Sequence, residues 1–418
     1  MLAPKPAGID EERSMRDQQP HILVGVTSPQ TCLVLRGRVR ALRNAGFKVS
    51  LVSSPGELLE EIARTEQVDA FAISMERGIS PVRDIGALIR IWRLLRLVKP
   101  DIVEFSTPKA GLLGSIAARL CGIPVRIYLL RGLKLETSRG FRRLLLLWAE
   151  RVASASAHLV VCNSRSLRRQ ARAMRIAPTS KLVLLGGGSS NGVDITRFAP
   201  GPSMIRQMYG IPYTAPVIGF SGRLTADKGL PELMEAFAMI QRVVPDAYLL
   251  LVGWFDAAED ALERAVRARI EGHPRIVCTG LVEDTVAYYR AMDLMVLPSW
   301  REGFPNAVLE AAATGVPVIG TDCTGSCDAV IPDVTGMLVP PGSPNAICEA
   351  VLNLLRNPDR CRRMALAARA WVAKNYDDRV VLGLVVDFYL NLIRPAAIQN
   401  PQAEEERAEV VTGLPASL

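Results

Sequence analysis

SWREGFPNAVLEAAATGVPVIGTD, residues 299–322, reads as loop, helix and strand in direct succession. Gly303 and Pro305 break any regular run at its start, and Pro305 suits the opening of a helix, where a missing N–H costs nothing. Asn306, Ala307, Val308, Leu309, Glu310 and the alanines after them then form a short helix ending near Thr314. Gly315-Val316-Pro317 stops it, and Val316, Val318 and Ile319 read as a buried strand. Glu302 and Glu310 stand eight residues apart. On one continuous helix that spacing would separate them by about 12 Å along the axis. The break at Gly303 and Pro305 instead lets the chain fold back, so both carboxylates can face a group held at the helix N-terminus. Free backbone N–H groups there make a seat for phosphate. A phosphate flanked by hydroxyl groups, as in a nucleotide sugar, matches the pattern; the plainer alternative is a surface helix with two solvated glutamates.

Outward from this stretch the chain alternates strands and helices. The first half places strands at 21–26, 47–53, 70–74, 102–105, 125–129, 158–162 and 181–185, with helices at 31–44, 81–98, 111–121, 141–155 and 164–174. The second half repeats the pattern. Its strands fall at 217–220, 248–252, 276–278, 294–297 and 337–339, with helices at 232–243, 258–270, 286–292, 344–355 and 379–393. Strands alternating with helices of this length imply parallel sheets covered on both faces, with ligands at the carboxyl ends of the strands. The Gly-rich run GGGSSNG at 186–192 lacks the Lys-Ser/Thr of a phosphate loop and reads as a mobile hinge. The expected organisation is a disordered segment at 1–20 and a doubly wound domain at 21–198. A second doubly wound domain at 199–378, a helix at 379–395 packing back toward the first domain, and a disordered acidic tail at 396–418 complete it. Two such domains imply a cleft between them.

At 418 residues, 49% hydrophobic and 22% charged, the chain fits two globular domains. No apolar, uncharged run reaches the eighteen or more residues of a spanning helix, and the first twenty residues lack the apolar core of a signal peptide. Eight scattered cysteines, with no histidine near the close pair Cys323 and Cys327, fit reduced thiols in a cytoplasmic protein. The net charge of +8 collects in the first half, on Arg83, Arg90, Arg93, Arg96 and Lys99, and from Arg131 to Arg175. The basic residues are too diffuse for a nucleic-acid motif. Trp92, Phe141 and Trp148 lie among them, which suits the anionic surface of a membrane, with peripheral attachment on its inner face.

Two further segments carry chemistry. SGRLTADKG, 221–229, leaves a strand end with Arg223 and Lys228 on a flexible turn, positioned to neutralise a departing diphosphate. Cys278-Thr279-Gly280-Leu281-Val282 is a second strand end, whose backbone can meet a nucleobase edge. No Asp-x-Asp occurs, so the usual carboxylate cradle for a divalent cation is missing and no metal or cofactor is expected. His21, His158 and His273 sit at strand starts or before a proline and read as structural.

EGFPNAVLEAAATGVPVI, with the order and spacing of the other segments, resembles the glutamate-pair motif of glycosyltransferase family four, retaining enzymes of the GT-B fold. STPKAGLLG at 106–114, YLLRGLKLET at 128–137 and GSSNGVDITRF at 188–198 resemble the subgroup that extends lipid-linked capsular and exopolysaccharide units. The resemblance implies two Rossmann-like domains facing across a cleft, the first (21–198) acceptor-binding and the second (199–378) nucleotide-sugar donor-binding. It implies transfer of a sugar from a nucleotide-diphosphate donor, a UDP-sugar by expectation, to a polyprenyl-diphosphate-linked saccharide. It assigns catalysis to Glu302, Arg223 and Lys228. Donor binding falls to Glu310, Gly303, Phe304, Pro305, Asn306, Gly222, Gly280, Leu281 and Val282, and the acceptor side to Lys109 and Arg131. The chain departs from many relatives at Thr27-Ser28-Pro29-Gln30-Thr31, where they carry a Gly-rich loop, and at Glu104-Phe105-Ser106, where they carry histidine. The competing reading is a nucleotide-sugar epimerase or hydrolase on the same scaffold. A dinucleotide-binding protein is disfavoured, since no Gly-x-Gly-x-x-Gly follows the first strand.

Overall fold

A computed structural model describes residues 19–76, 78, 80–256 and 262–393. Its first sheet has seven strands: β1 (His21–Gly25), β2 (Lys48–Ser53), β3 (Asp69–Ala72), β4 (Ile102–Ser106), β5 (Val125–Leu130), β6 (Leu159–Cys162) and β7 (Leu182–Leu184). Its order is β3-β2-β1-β4-β5-β6-β7. The second has six: β8 (Val217–Ser221), β9 (Tyr248–Val252), β10 (Ile276–Cys278), β11 (Leu294–Leu297), β12 (Val318–Thr321) and β13 (Gly336–Val339), ordered β10-β9-β8-β11-β12-β13. Pairing is parallel, as in Met295 opposite Gly219 and Val24 opposite Glu104. Each order runs outward from its first strand and then reverses, the signature of a Rossmann-like, doubly wound sheet. The expected fold class therefore stands. Contact density divides the chain into two compact units. Among the described residues, one comprises 19–129, Ala149–Val160 and 383–393, and the other Leu130–Trp148 and Val161–Leu382.

The strands of the second sheet are apolar on both faces because helices cover both. Ile218, Phe220, Leu249, Leu250, Leu251 and Val296 are all fully buried. Local signals set many helix starts. Pro occupies the first turn of Pro81–Val98, Pro108–Leu120 and Pro344–Arg356. The hydroxyls of Ser164 and Ser343 accept from the backbone of Leu167 (3.2 Å) and Ala346 (3.3 Å), capping Arg165–Ala173 and again Pro344–Arg356.

Several boundaries differ from the sequence reading. The helix expected over 31–44 is two, Pro29–Leu33 and Arg36–Asn44, because the chain turns at Val34 to send Leu35 into the core. Two amphipathic helices, Glu57–Glu66 and Pro358–Asn375, were not expected. The second starts on Pro358 directly after Asn357, where the preceding helix ends. The run at 186–192 is not a loose hinge. Ser189 N–H donates to the Asn163 carbonyl (2.7 Å), Tyr376 Oη donates to the Gly187 carbonyl (3.3 Å), and Ser189 and Ser190 are buried. The disorder expected at 1–20, save its last two residues, that expected at 396–418, and the start of the helix expected over 258–270 lie outside the described residues. The described helix there is Arg264–Glu271.

The first unit has a buried polar centre on β4. Arg38, Glu104 and Tyr389 are all nearly or fully inaccessible. Arg38 pairs with Glu104 and donates to Tyr389 Oη (3.0 Å), and Tyr389 donates to Glu104. Tyr389 lies on the helix Asp378–Ile393. The Glu104 position is thus a tether for that helix. The three histidines are structural as expected. His21 Nε2 meets Ser50 Oγ (2.8 Å), and His158 and His273 accept backbone N–H bonds through Nδ1.

Glu150 is also buried, and burial pushes its carboxyl up to about 7 against the hydrogen bond donated by Tyr128 Oη (2.7 Å). An unfolded chain ionises this group near 4.5, so between 4.5 and 7 the folded protein holds a proton that the unfolded chain has released. Stability contributed at this site therefore falls as pH rises through that window and stays lower above it. Glu150→Gln should stabilise the protein at pH 8 by up to about 3 kcal/mol and change little near pH 4.5. Calorimetric melting at the two pH values checks this; equal shifts at both would contradict it.

Candidate active site

In the second unit the strand order reverses between β8 and β11. The loops leaving the carboxyl ends of these two neighbours therefore face each other. One is Gly222–Gly229, the other Pro298–Pro305. They carry residues singled out from the sequence, and Lys228 and Glu302, 74 positions apart in the chain, are adjacent in space.

Lys228 Nζ donates to Glu302 Oε1 at 2.5 Å, and Ser299 Oγ donates to the same oxygen at 2.7 Å. Both partners are largely buried, with side chains 18% and 11% exposed. Glu302 is also held by its backbone, whose N–H donates to the Thr324 carbonyl (3.0 Å). Two glycines permit this approach. Gly229 has φ +73°, and a Cβ there would stand 2.0 Å from the Pro298 carbonyl oxygen. A Cβ on Gly303 would stand 1.8 Å from the Arg131 carbonyl oxygen. The segment 131–132 is therefore pressed against the backbone beside Glu302.

Arg223 turns to two acids, Asp256 (3.1 Å) and Asp227 (3.8 Å). Asp227 is buried and also binds Arg301 (2.8 Å) and the Thr225 hydroxyl (2.6 Å). Burial pushes its carboxyl up, but Arg301, the Thr225 hydrogen bond, Lys228 and Arg223 together outweigh that and hold it below its ordinary value. Arg301 Nε in turn donates to Thr137 Oγ1 (3.1 Å). Three cations and three carboxylates thus form one network at the two strand ends.

Pro305 stands just before the helix Asn306–Thr314, with Asn306 as its first residue, and no side chain caps that first turn. Phe304 is buried against Tyr376, ring centroids 5.1 Å apart. Glu310, one turn into the helix, accepts from Tyr289 Oη (2.8 Å), and its surroundings raise its carboxyl above the ordinary value by desolvation. Gly222 follows β8 with its N–H on the Val252 carbonyl (2.9 Å). Gly280 bridges Gly253 beyond the ends of β10 and β9, with Leu281 exposed and Val282 half-buried beside it. Arg131 Nη1 donates to Ser190 Oγ (3.3 Å). Lys109, in the first unit, is engaged by Asp84 (2.6 Å) and by the Gly78 carbonyl. Among the described residues no three metal-binding side chains gather.

Asp227, Arg301, Asp256, Ser299, Thr137 and Tyr289 were not assigned from the sequence. Asp227 and Arg301 stood inside the two quoted loops, where two extra charges of opposite sign were the available signal. Nothing local marked Thr137 or Tyr289, which reach the site from other elements.

Known proteins resemble this chain across both of its sheets. Residues 215–357 match the model for glycosyl transferases group 1, and residues 33–188 that for a glycosyl transferase 4-like domain. A glycosyltransferase of capsular polysaccharide biosynthesis, CapM of Staphylococcus aureus, is 32% identical over 85% of this chain and 93% of its own. The Escherichia coli UDP-Gal:alpha-D-GlcNAc-diphosphoundecaprenol alpha-1,3-galactosyltransferase is 28% identical over 71% of this chain and 77% of its own. Among solved structures, Anabaena Alr3699/HepE in complex with UDP and glucose superposes with TM-score 0.74 at 18% identity, covering 89% of this chain and 99% of that one. Two Rossmann-like sheets with a charged network at the reversal of the second define a GT-B glycosyltransferase. The chain belongs to glycosyltransferase family four, in its capsular and exopolysaccharide-type subgroup.

Gly303→Ala should be costly, because backbone on the Arg131 side must yield to the new methyl group. We expect destabilisation of about 1–3 kcal/mol by denaturant titration, with transfer activity reduced more than stability alone explains. Wild-type activity in this variant would show that the 131–132 segment does not set the Glu302 loop.

Proposed function

We propose that this chain transfers a sugar, with retention at the anomeric carbon, from a nucleoside-diphosphate donor to a polyprenyl-diphosphate-linked saccharide during synthesis of a cell-surface polysaccharide. The observation that carries the reading is the Lys228–Glu302 pair beside the uncapped helix start at Asn306. A donor diphosphate has two negative charges to place. Backbone N–H groups at the helix start and the cations Lys228 and Arg223 can take them, Lys228 and Arg223 exchanging carboxylate partners for phosphate oxygens. That exchange frees the Glu302 carboxylate to accept sugar hydroxyls or to face positive charge developing on the anomeric carbon. Glu310 is suited to accept from the ribose hydroxyls and the backbone at Gly280–Val282 to meet the base, with Gly222, Gly303, Phe304 and Pro305 walling the diphosphate and sugar.

With cations and a helix terminus neutralising the leaving group, turnover is expected without added divalent metal. The E. coli relative's name specifies a UDP-sugar and an undecaprenol-linked acceptor. By that analogy we place the enzyme on the inner face of the membrane, with a UDP-sugar as donor and a lipid-linked acceptor met by the first unit, Lys109 included.

Purified protein should release UDP or GDP from one member of a nucleotide-sugar panel, with sugar appearing on a polyprenyl-diphosphate acceptor, and in the presence of EDTA. Glu302→Gln and Lys228→Ala should each lose about a hundredfold or more in kcat while retaining the far-UV circular dichroism of the wild type. Near-wild-type turnover in both would remove these residues from the chemistry. A product consisting of an altered nucleotide sugar, formed without acceptor, would identify an epimerase instead.

A further inference from the structure

The helix Gly140–Ser156 wears its apolar stripe on the outside. Phe141, Leu144, Leu145, Trp148 and Val152 fall at the spacing of one helical face, and they are 80%, 56%, 39%, 62% and 39% exposed. Glu150, Ala153 and Ser154, on the opposite face, are buried, as is Ser156 at the helix end. At about 100° per residue, Arg142 and Arg151 stand to either side of the stripe, about 100° and 80° from its midline. Arg139 and Arg143 add to the exposed N-terminal end. The helix has one acid, Glu150, and that is buried against Tyr128. Its accessible surface therefore combines large apolar side chains with positive charge and no negative charge.

We propose that this helix lies flat on an anionic bilayer, Phe141, Leu144 and Trp148 entering the headgroup boundary and the flanking arginines meeting lipid phosphates. The proposal deepens the reading of a lipid-linked acceptor, since it names the surface that would hold the enzyme where that acceptor resides. Spanning is ruled out by dimensions. Seventeen residues reach about 26 Å, less than the hydrocarbon thickness of about 30 Å, and arginines interrupt the run. Among the described residues no helix is long and apolar enough to cross a membrane. A second copy of the chain is a poorer occupant, because a two-fold contact through this stripe would bring identical arginine flanks together without an acid to receive them. The helix Pro81–Val98 repeats the composition, exposing Val82, Ile85 and Ile89 beside Arg90 and Arg93. An in-plane amphipathic helix with aromatic and leucine side chains on one face and arginines at its borders is the form that interfacial anchoring takes.

The test is co-sedimentation of the full chain with vesicles of phosphatidylglycerol and phosphatidylcholine, against phosphatidylcholine alone. Binding is expected to the anionic vesicles and to weaken with salt. Leu144→Glu with Trp148→Glu should weaken it about tenfold or more. Arg142→Glu with Arg143→Glu should weaken it at low salt and much less at high salt. Trp148 emission should shift to the blue on binding, and Trp148→Phe should abolish most of that shift. Donor hydrolysis in solution should be unchanged in all these variants. Failure of the wild type to bind anionic vesicles at low salt, or equal binding by the Leu144/Trp148 variant, overturns the proposal. So does a solution dimer that this variant dissociates without any vesicle binding by the wild type. A chain that binds vesicles through this helix yet transfers no sugar would sink the transferase reading and leave this one standing.

Discussion

A parallel strand delivers its functional loop at the carboxyl end, and only neighbouring strands can bring two such loops together. In the second sheet that rule selects β8 and β11, because the order turns back between them. Three close contacts of the site follow from it. Lys228 reaches Glu302, Arg301 reaches Asp227, and the Trp300 N–H donates to the Asp227 carbonyl (3.0 Å), all across this one boundary. Had β12 stood beside β8 instead, the same residues would lie a strand spacing farther apart, roughly 5 Å, and none of these bonds could form.

The network at this boundary is poorly explained as a device for stability. A half-buried ion pair recovers little more than the cost of removing its charges from water. Its effect is positional. Asp227 and Asp256 hold Arg223, and Asp227 and Thr137 hold Arg301. Cations fixed in advance need little reorganisation when negative charge arrives, which is where electrostatic catalysis draws its strength. Close backbone packing of Gly229 against Pro298 keeps the two loops at this separation, and that of Gly303 against Arg131 braces the second loop from its other side.

Much of this was legible along the chain. The helix Asn306–Thr314 was read correctly because proline and glycine bracket it, and its Glu310 and the Glu302 of the preceding loop stood out by their setting. Strand positions were legible because a strand buried on both faces is apolar throughout. The run at 186–192 misled, since glycine advertises freedom of the backbone and says nothing about neighbours such as Asn163 and Tyr376 that take that freedom away. Glu57–Glu66 escaped because a short amphipathic helix after a Pro-Gly turn resembles loop until its burial of Leu59 and Ile62 is known. Glu104 looked like a departure in a functional segment, and its contacts with Arg38 and Tyr389 make it an anchor for a helix from the far end of the chain.

By itself the sequence determined the alternation of strands and helices, the two-sheet architecture, the family, and which loops carry charge. Those properties depend on period, local breakers and residue type, all of which act within a few positions. The tertiary structure alone decided which charges pair, that Asp227 ties Arg223 to Arg301, and that the apolar stripe of Gly140–Ser156 faces outward. Pairing and exposure depend on atoms brought together from distant parts of the chain, and a helical stripe of Phe, Leu and Trp has the same spacing whether it faces a core or water.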